Sequence, residues 1–125
     1  MKSSKHPFDS LNRWRQIPED RISHQLSQGD LSLMAEIIKL LVDPERSSNY
    51  EVSAEQFPRL VKEMRELYEL GSQSLGEAVI KASAAAEKGA TATAIAIYSE
   101  FLITCPSPFY KDIAKVQRAK LIQES

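Results

Sequence analysis

Apolar residues recur at three- and four-residue steps along almost the whole chain, and no stretch alternates them at every second position as a half-buried strand does. The pattern predicts an all-α fold. Phe8, Leu11 and Trp14 or Arg15 set a short first helix. Pro18 fits the first turn of a second, with Glu19 and Asp20 where the positive helix end favours anions, Ile22 and Leu26 as its stripe and Gly29 as its stop. Asp30 is the expected N-cap of a third, apolar at Leu31, Met34, Ile37, Ile38, Leu41 and Val42. Pro44 ends it, because proline disfavours helical geometry at the residue before it.

ERSSNYE (45–51) reads as a polar loop. Ser53 and Gln56, three apart, form a capping-box pattern that starts a short turn, and Pro58 marks a break or kink. From 58 to about 88 the spacing predicts one long helix. Leu60, Met64, Leu67, Gly71, Leu75, Ala78, Ala82 and Ala86 repeat on one side, while Arg59/Glu63, Lys62/Glu66, Arg65/Glu69 and Glu77/Lys81 lie four apart on the other. Each such ion pair stabilises an exposed helix by only about 0.2–0.5 kcal/mol, so burial of the stripe must hold the helix in place. Gly71 and Gly76 each weaken a helix interior by about 1 kcal/mol relative to alanine and mark a bend or a tight crossing.

The chain turns at Gly89 into a helix over 91–104, apolar at Ala94, Ile97, Tyr98, Phe101 and Leu102. Pro106 stops it. Ser107 then offers its hydroxyl as an N-cap, and Pro108 takes the first helical position, where a missing N–H costs nothing. The last helix, over 108 to about 123, is expected to bury Phe109, Ile113, Val116 or Gln117, and Leu121. Together the elements predict a single compact helical bundle of about five to six helices around the long central one. It fills 8–125 as one helical domain behind a flexible start at 1–7.

Composition narrows the function. A chain of 125 residues with 42% apolar and 26% charged side chains suits an ordinary globular domain. The net charge of −1 gives no global field toward a polyanion, so nucleic acid is not an expected partner. Residues 1–17 are basic through Lys2, Lys5, Arg13 and Arg15 against Asp9, the middle is acidic, and the tail from Pro106 is mildly basic. Such asymmetry could dock a partner, but solvated helix faces produce it just as readily. The single cysteine, Cys105, excludes an intramolecular disulfide framework. No run of about 20 apolar residues is present to span a membrane. The opening MKSSKHPF lacks the apolar core of a secretory signal, so the expected location is cytoplasmic.

Candidate chemistry is sparse. His6 and His24 are the only histidines, and Asp20, four residues before His24, makes at most half a metal site. Cys105 sits at a helix C-terminus, whose negative end opposes the thiolate a nucleophile needs. Glu66/Glu69 and Glu19/Asp20 stand beside basic residues on expected surfaces and read as ion pairs. No catalytic, cofactor-binding or metal-ligating residue is therefore assigned, and no cofactor is expected. The sharpest partner-binding candidate is RWR (Arg13, Trp14 and Arg15), residue types favoured at interface hot spots. The competing reading puts Trp14 in the core with both arginines in water.

Two resemblances add to this. Ala94, Tyr98, Phe101 and Pro106, preceded by Gly89, follow the spacing of the second helix of a tetratricopeptide repeat, so 75–106 resembles one tetratricopeptide-like hairpin; no second copy is present to make an array. The segments QLSQGDLSLMAEIIKLL, YEVSAEQ, LYELGSQSLGEAV and SPFYKDIAKVQ, in that order, resemble the DUSAM family of small paralogous myxobacterial proteins. That resemblance implies an α-helical, non-catalytic domain with many diversified copies, and it supplies no functional residues. The expected function is protein–protein interaction, in its specific form an immunity-type protein that neutralises a cognate toxin. The alternative is a regulatory adaptor or a homo-oligomeric scaffold, such as a homodimer through the small-residue face between Gly71 and Ala86.

Overall fold

The computed structural model describes residues 7–17 and 26–124. Residues 1–6, the helix expected to open at Pro18, and both histidines lie outside them. Six helices follow in order: α1 (Asp9–Arg15), α2 (Gln28–Leu41), α3 (Pro44–Ser47), α4 (Phe57–Glu87), α5 (Thr91–Thr104) and α6 (Pro108–Glu124), with no strand among the described residues. The fold is all-α, with the long helix and the C-terminal hairpin that the spacing predicts. The chain divides into two units between Tyr68 and Glu69, each with its own buried residues.

The first unit buries one apolar face from each of its longer helices. Phe8, Leu11 and Trp14 come from the α1 segment, Met34, Ile37, Ile38 and Leu41 from α2, and Phe57, Leu60, Val61 and Met64 from the start of α4. Aromatic rings fix how α1 meets α4. Trp14 meets Phe57 edge-on with centroids 4.9 Å apart, and Phe8 lies 4.8 Å from Tyr68. Helix α2 starts a turn earlier than its apolar pattern suggests. Ser27, not Asp30, is the N-cap: its hydroxyl accepts from the Asp30 N–H, while the Asp30 carboxylate accepts from the Ser27 N–H. This reciprocal box satisfies two orphan donors where Asp30 alone would satisfy one, and it leaves Gly29 inside the first turn.

Two further expectations shift. The polar loop over 45–51 begins as a helix, because Asp43 accepts from the Glu45 N–H and Pro44 supplies a preset first helical residue. Pro58 makes no kink. The long helix begins at Phe57, so the proline falls in its first turn, and Ser53 accepts from the Gln56 N–H just before it.

The second unit packs the rest of α4 with the α5–α6 hairpin. Leu75, Ala78 and Ala82 of α4, Ala94, Tyr98 and Phe101 of α5, and Tyr110 and Ala114 of α6 are buried. Gly89, at φ +83°, ends α4 in a Schellman motif: its own N–H bonds to the Ala86 carbonyl and the Ala90 N–H to that of Ala85. Ser107 caps α6 as expected, accepting from the Tyr110 N–H with Pro108 first in the helix. The buried face of α6 is not the one expected. Tyr110 and Ala114 face inward, while Phe109 and Ile113 are half-buried and Val116 is exposed. The reason is Gly71, whose missing side chain leaves a slot that the Tyr110 ring fills. On the small-residue face of α4, Gly71 meets Tyr110 and Ala78 and Ala82 are buried within the unit, while Gly76 is exposed.

Candidate functional site

The three residues of RWR part company in the structure. Trp14 is 2% exposed and belongs to the core. Its indole N–H donates to Asp30 Oδ1 at 3.4 Å, and Arg13 Nη2 donates to the same oxygen at 3.1 Å. The Arg13 guanidinium carbon lies 5.8 Å from the Trp14 ring centroid, within cation–π reach. Both Arg13 and Arg15 nonetheless remain exposed, so the reading with Trp14 in the core and both arginines in water holds. Asp30 is the centre of this cluster, since its second oxygen receives the Ser27 backbone N–H and hydroxyl. A carboxylate that accepts from four donors at a helix start orders local structure.

A hollow of about 480 Å³ opens elsewhere in the first unit, walled by α3 and the turn after it on one side and the first turns of α4 on the other. Arg46, Asn49, Tyr50 and Glu51 come from the former, Arg59, Leu60 and Glu63 from the latter, and Gln56 from just before it. Local hydrogen bonds set the first wall. The Arg46 and Ser47 N–H groups bond to the Asp43 carbonyl, and those of Asn49 and Tyr50 to the carbonyls of Arg46 and Ser47. The chain thereby turns Tyr50 toward α4, where its hydroxyl donates to Glu63 Oε2 at 2.7 Å. Leu60, 1% exposed, belongs to the core beneath.

The electrostatics follow from that bond. Burial pushes the Tyr50 phenol above its ordinary pKa, and the Glu63 carboxylate, as hydrogen-bond acceptor and as charge, pushes it the same way. Arg46 and Arg59, which line the same hollow, pull it back. The expected Arg59–Glu63 ion pair does not form: Glu63 is engaged by Tyr50, and Arg59 joins no ion pair among the described residues. Arg46 and Arg59 are both exposed.

The remaining candidates stay structural. Cys105 is buried with its Sγ 3.9 Å from the Ser107 carbonyl, and burial raises its thiol pKa, so the reactive thiolate is disfavoured as expected. No group of three metal-ligating side chains lies together among the described residues. A second hollow, about 150 Å³, is lined by Ala82, Ser83, Ala86, Tyr98, Leu121 and neighbours in the second unit, and it holds less than typical ligand clefts. No helix among the described residues is long and apolar enough to cross a membrane.

Sequence reasoning does not single out Arg46, Tyr50 or Arg59, because they come from segments that only the fold brings together. The available signal is Tyr50 itself, one aromatic in an otherwise polar run. No family model matches the chain, and no curated protein or solved structure matches it.

Proposed function

We propose that the protein acts without catalysis by binding another protein, in the cytoplasm, and that it is an immunity-type protein which neutralises a cognate toxin. The observation that carries the binding reading is the hollow of the first unit. Two exposed arginines outside any ion pair among the described residues stand there beside a tyrosine whose hydroxyl is fixed on Glu63. Charged rims of this kind steer and orient partners more than they bind small apolar ligands, whose clefts are mostly hydrocarbon. Small size and resemblance to the diversified DUSAM paralogues favour the immunity form, an argument from analogy. The test is genetic. Cells lacking the gene are expected to be inhibited beside sibling strains that retain it, and reintroducing the gene is expected to restore growth. Normal growth of the deletion strain beside every sibling overturns the immunity reading.

A further inference from the structure

We propose that the hollow formed by α3, its following turn and the start of α4 seats a single carboxylate side chain of a partner polypeptide between the guanidinium groups of Arg46 and Arg59. This deepens the protein-binding reading and rests on it. Guanidinium groups present paired donors that match the two oxygens of a carboxylate, and both of these are exposed and outside any ion pair among the described residues. The ring of Tyr50 supplies hydrocarbon for the methylene stem of an aspartate or glutamate. Glu63, the residue placed to neutralise Arg59 four positions earlier, is held away from that task by the Tyr50 hydroxyl at 2.7 Å. Tyr50 is thus a positioning residue: it occupies the internal competitor and leaves Arg59 open to an external acid.

The same lining disfavours polyanions. Glu51 and Glu63 face the hollow alongside the arginines, so its four charges sum to zero. A row of phosphates would bring several charges against these two carboxylates, whereas one isolated acid brings a single charge. Glu51 then stands at the rim for a basic or polar neighbour of that acid.

The experiment is an NMR titration of the isotope-labelled full chain with a heptapeptide that carries one glutamate between two leucines. The matched glutamine peptide and inorganic phosphate are the controls. The glutamate peptide is expected to shift the side-chain Nε–H signals of Arg46 and Arg59 with a Kd on the order of 1 mM, and the glutamine peptide is expected to leave them in place. Arg46→Gln and Arg59→Gln are each expected to weaken binding about fivefold, the size of one exposed charge contact. Tyr50→Phe is expected to weaken it as well by releasing Glu63 onto Arg59, and the added Glu63→Gln change is expected to restore it; a merely structural Tyr50 gives no such rescue. Equal shifts with the glutamine peptide, parental affinity in both arginine variants, or tighter saturation by phosphate each overturn the proposal. The outcome is separable from the genetic test. An inert hollow with a sensitised deletion strain moves binding to another face, and an occupied hollow with a healthy deletion strain removes only the immunity reading.

Discussion

The ring of Tyr110 lies directly over Gly71, so close that a Cβ built at residue 71 would come within 2.4 Å of Tyr110 Cε2. Tyr110 is 4% exposed, with Phe109 meeting its ring edge-on, so it has little room to retreat. Gly76, five residues on in the same helix, would place its Cβ with nothing within 4 Å. The two glycines should therefore respond in opposite directions to alanine. Gly76→Ala removes a helix-interior glycine and is expected to stabilise the protein by about 0.5–1 kcal/mol. Gly71→Ala makes the same gain but forces an overpacked contact of about 1–3 kcal/mol, for a net loss. Denaturant unfolding of both variants checks the pair. Stabilisation at both positions would show that Tyr110 yields freely, and a Tyr110→Leu background should relieve the penalty at Gly71.

Asp30 and Arg13 share an ion pair, yet they are unequal. The Arg13 side chain is 62% exposed and that of Asp30 18%, so the pair itself is worth little in water. Arg13→Gln is expected to change stability by less than about 0.5 kcal/mol. Asp30→Ala removes the N3 half of the capping box together with the acceptor for the Trp14 indole, and is expected to cost about 1–2 kcal/mol. Equal losses in the two variants, measured by thermal unfolding, would mean that the ion pair and not the cap stabilises the start of α2.

Ser107 joins α5 to α6 and is 4% exposed, the one buried polar residue among those described. Its hydroxyl accepts from the Tyr110 N–H at 3.3 Å. Ser107→Ala strands that donor where water does not replace the bond easily, and a loss of about 1–2 kcal/mol is expected. Ser107→Asp keeps an acceptor but buries a charge, so it should not rescue fully. Loss of helical circular dichroism at lower denaturant in both variants is the expected readout.

The boundaries of the long helix's end and of the last two helices are legible because each rests on a local cause. Gly89 with its positive φ, Pro106, Ser107 and Pro108 mark their boundaries wherever the chain folds, and the stripe from Leu60 to Ala86 follows the helical period over many turns. The face of α6 was not legible. Phe109 and Tyr110 are adjacent aromatics, and periodicity cannot choose between neighbouring faces; the slot at Gly71 makes the choice, and it lies almost forty positions earlier in the chain. The start of α2 was missed because Asp30 suits either N-cap or N3, and only the partner Ser27 decides. The hollow was least legible of all. A four-apart arginine and glutamate read as an ion pair until a tyrosine from another segment takes the acid, a tertiary event without a local signal.

That tyrosine gives the protein an alkaline signature. Tyr50 resists ionisation because burial disfavours phenolate and because Glu63 both accepts its proton in a hydrogen bond and repels the phenolate charge; Arg46 and Arg59 oppose this only in part. Its pKa in the fold thus lies above the ordinary 10.0, and burial raises that of Tyr98 as well. In the unfolded chain both ionise near the ordinary value. The stabilisation linked to each neutral phenol is accordingly complete below pH 10 and is lost as pH climbs through the folded-state pKa. Tyr50→Phe deletes the Tyr50 share, so parent and variant should differ most in unfolding free energy near neutral pH and converge above pH 10. Glu63→Gln removes the charge that repels the phenolate while leaving an amide oxygen to accept the hydroxyl, and should bring the Tyr50 phenolate absorbance in at lower pH while Tyr98 still titrates late. A constant gap between parent and Tyr50→Phe across that range, or an unmoved titration in Glu63→Gln, would show that the hydroxyl faces water rather than the carboxylate, and Arg59 would then be free to pair with Glu63 after all.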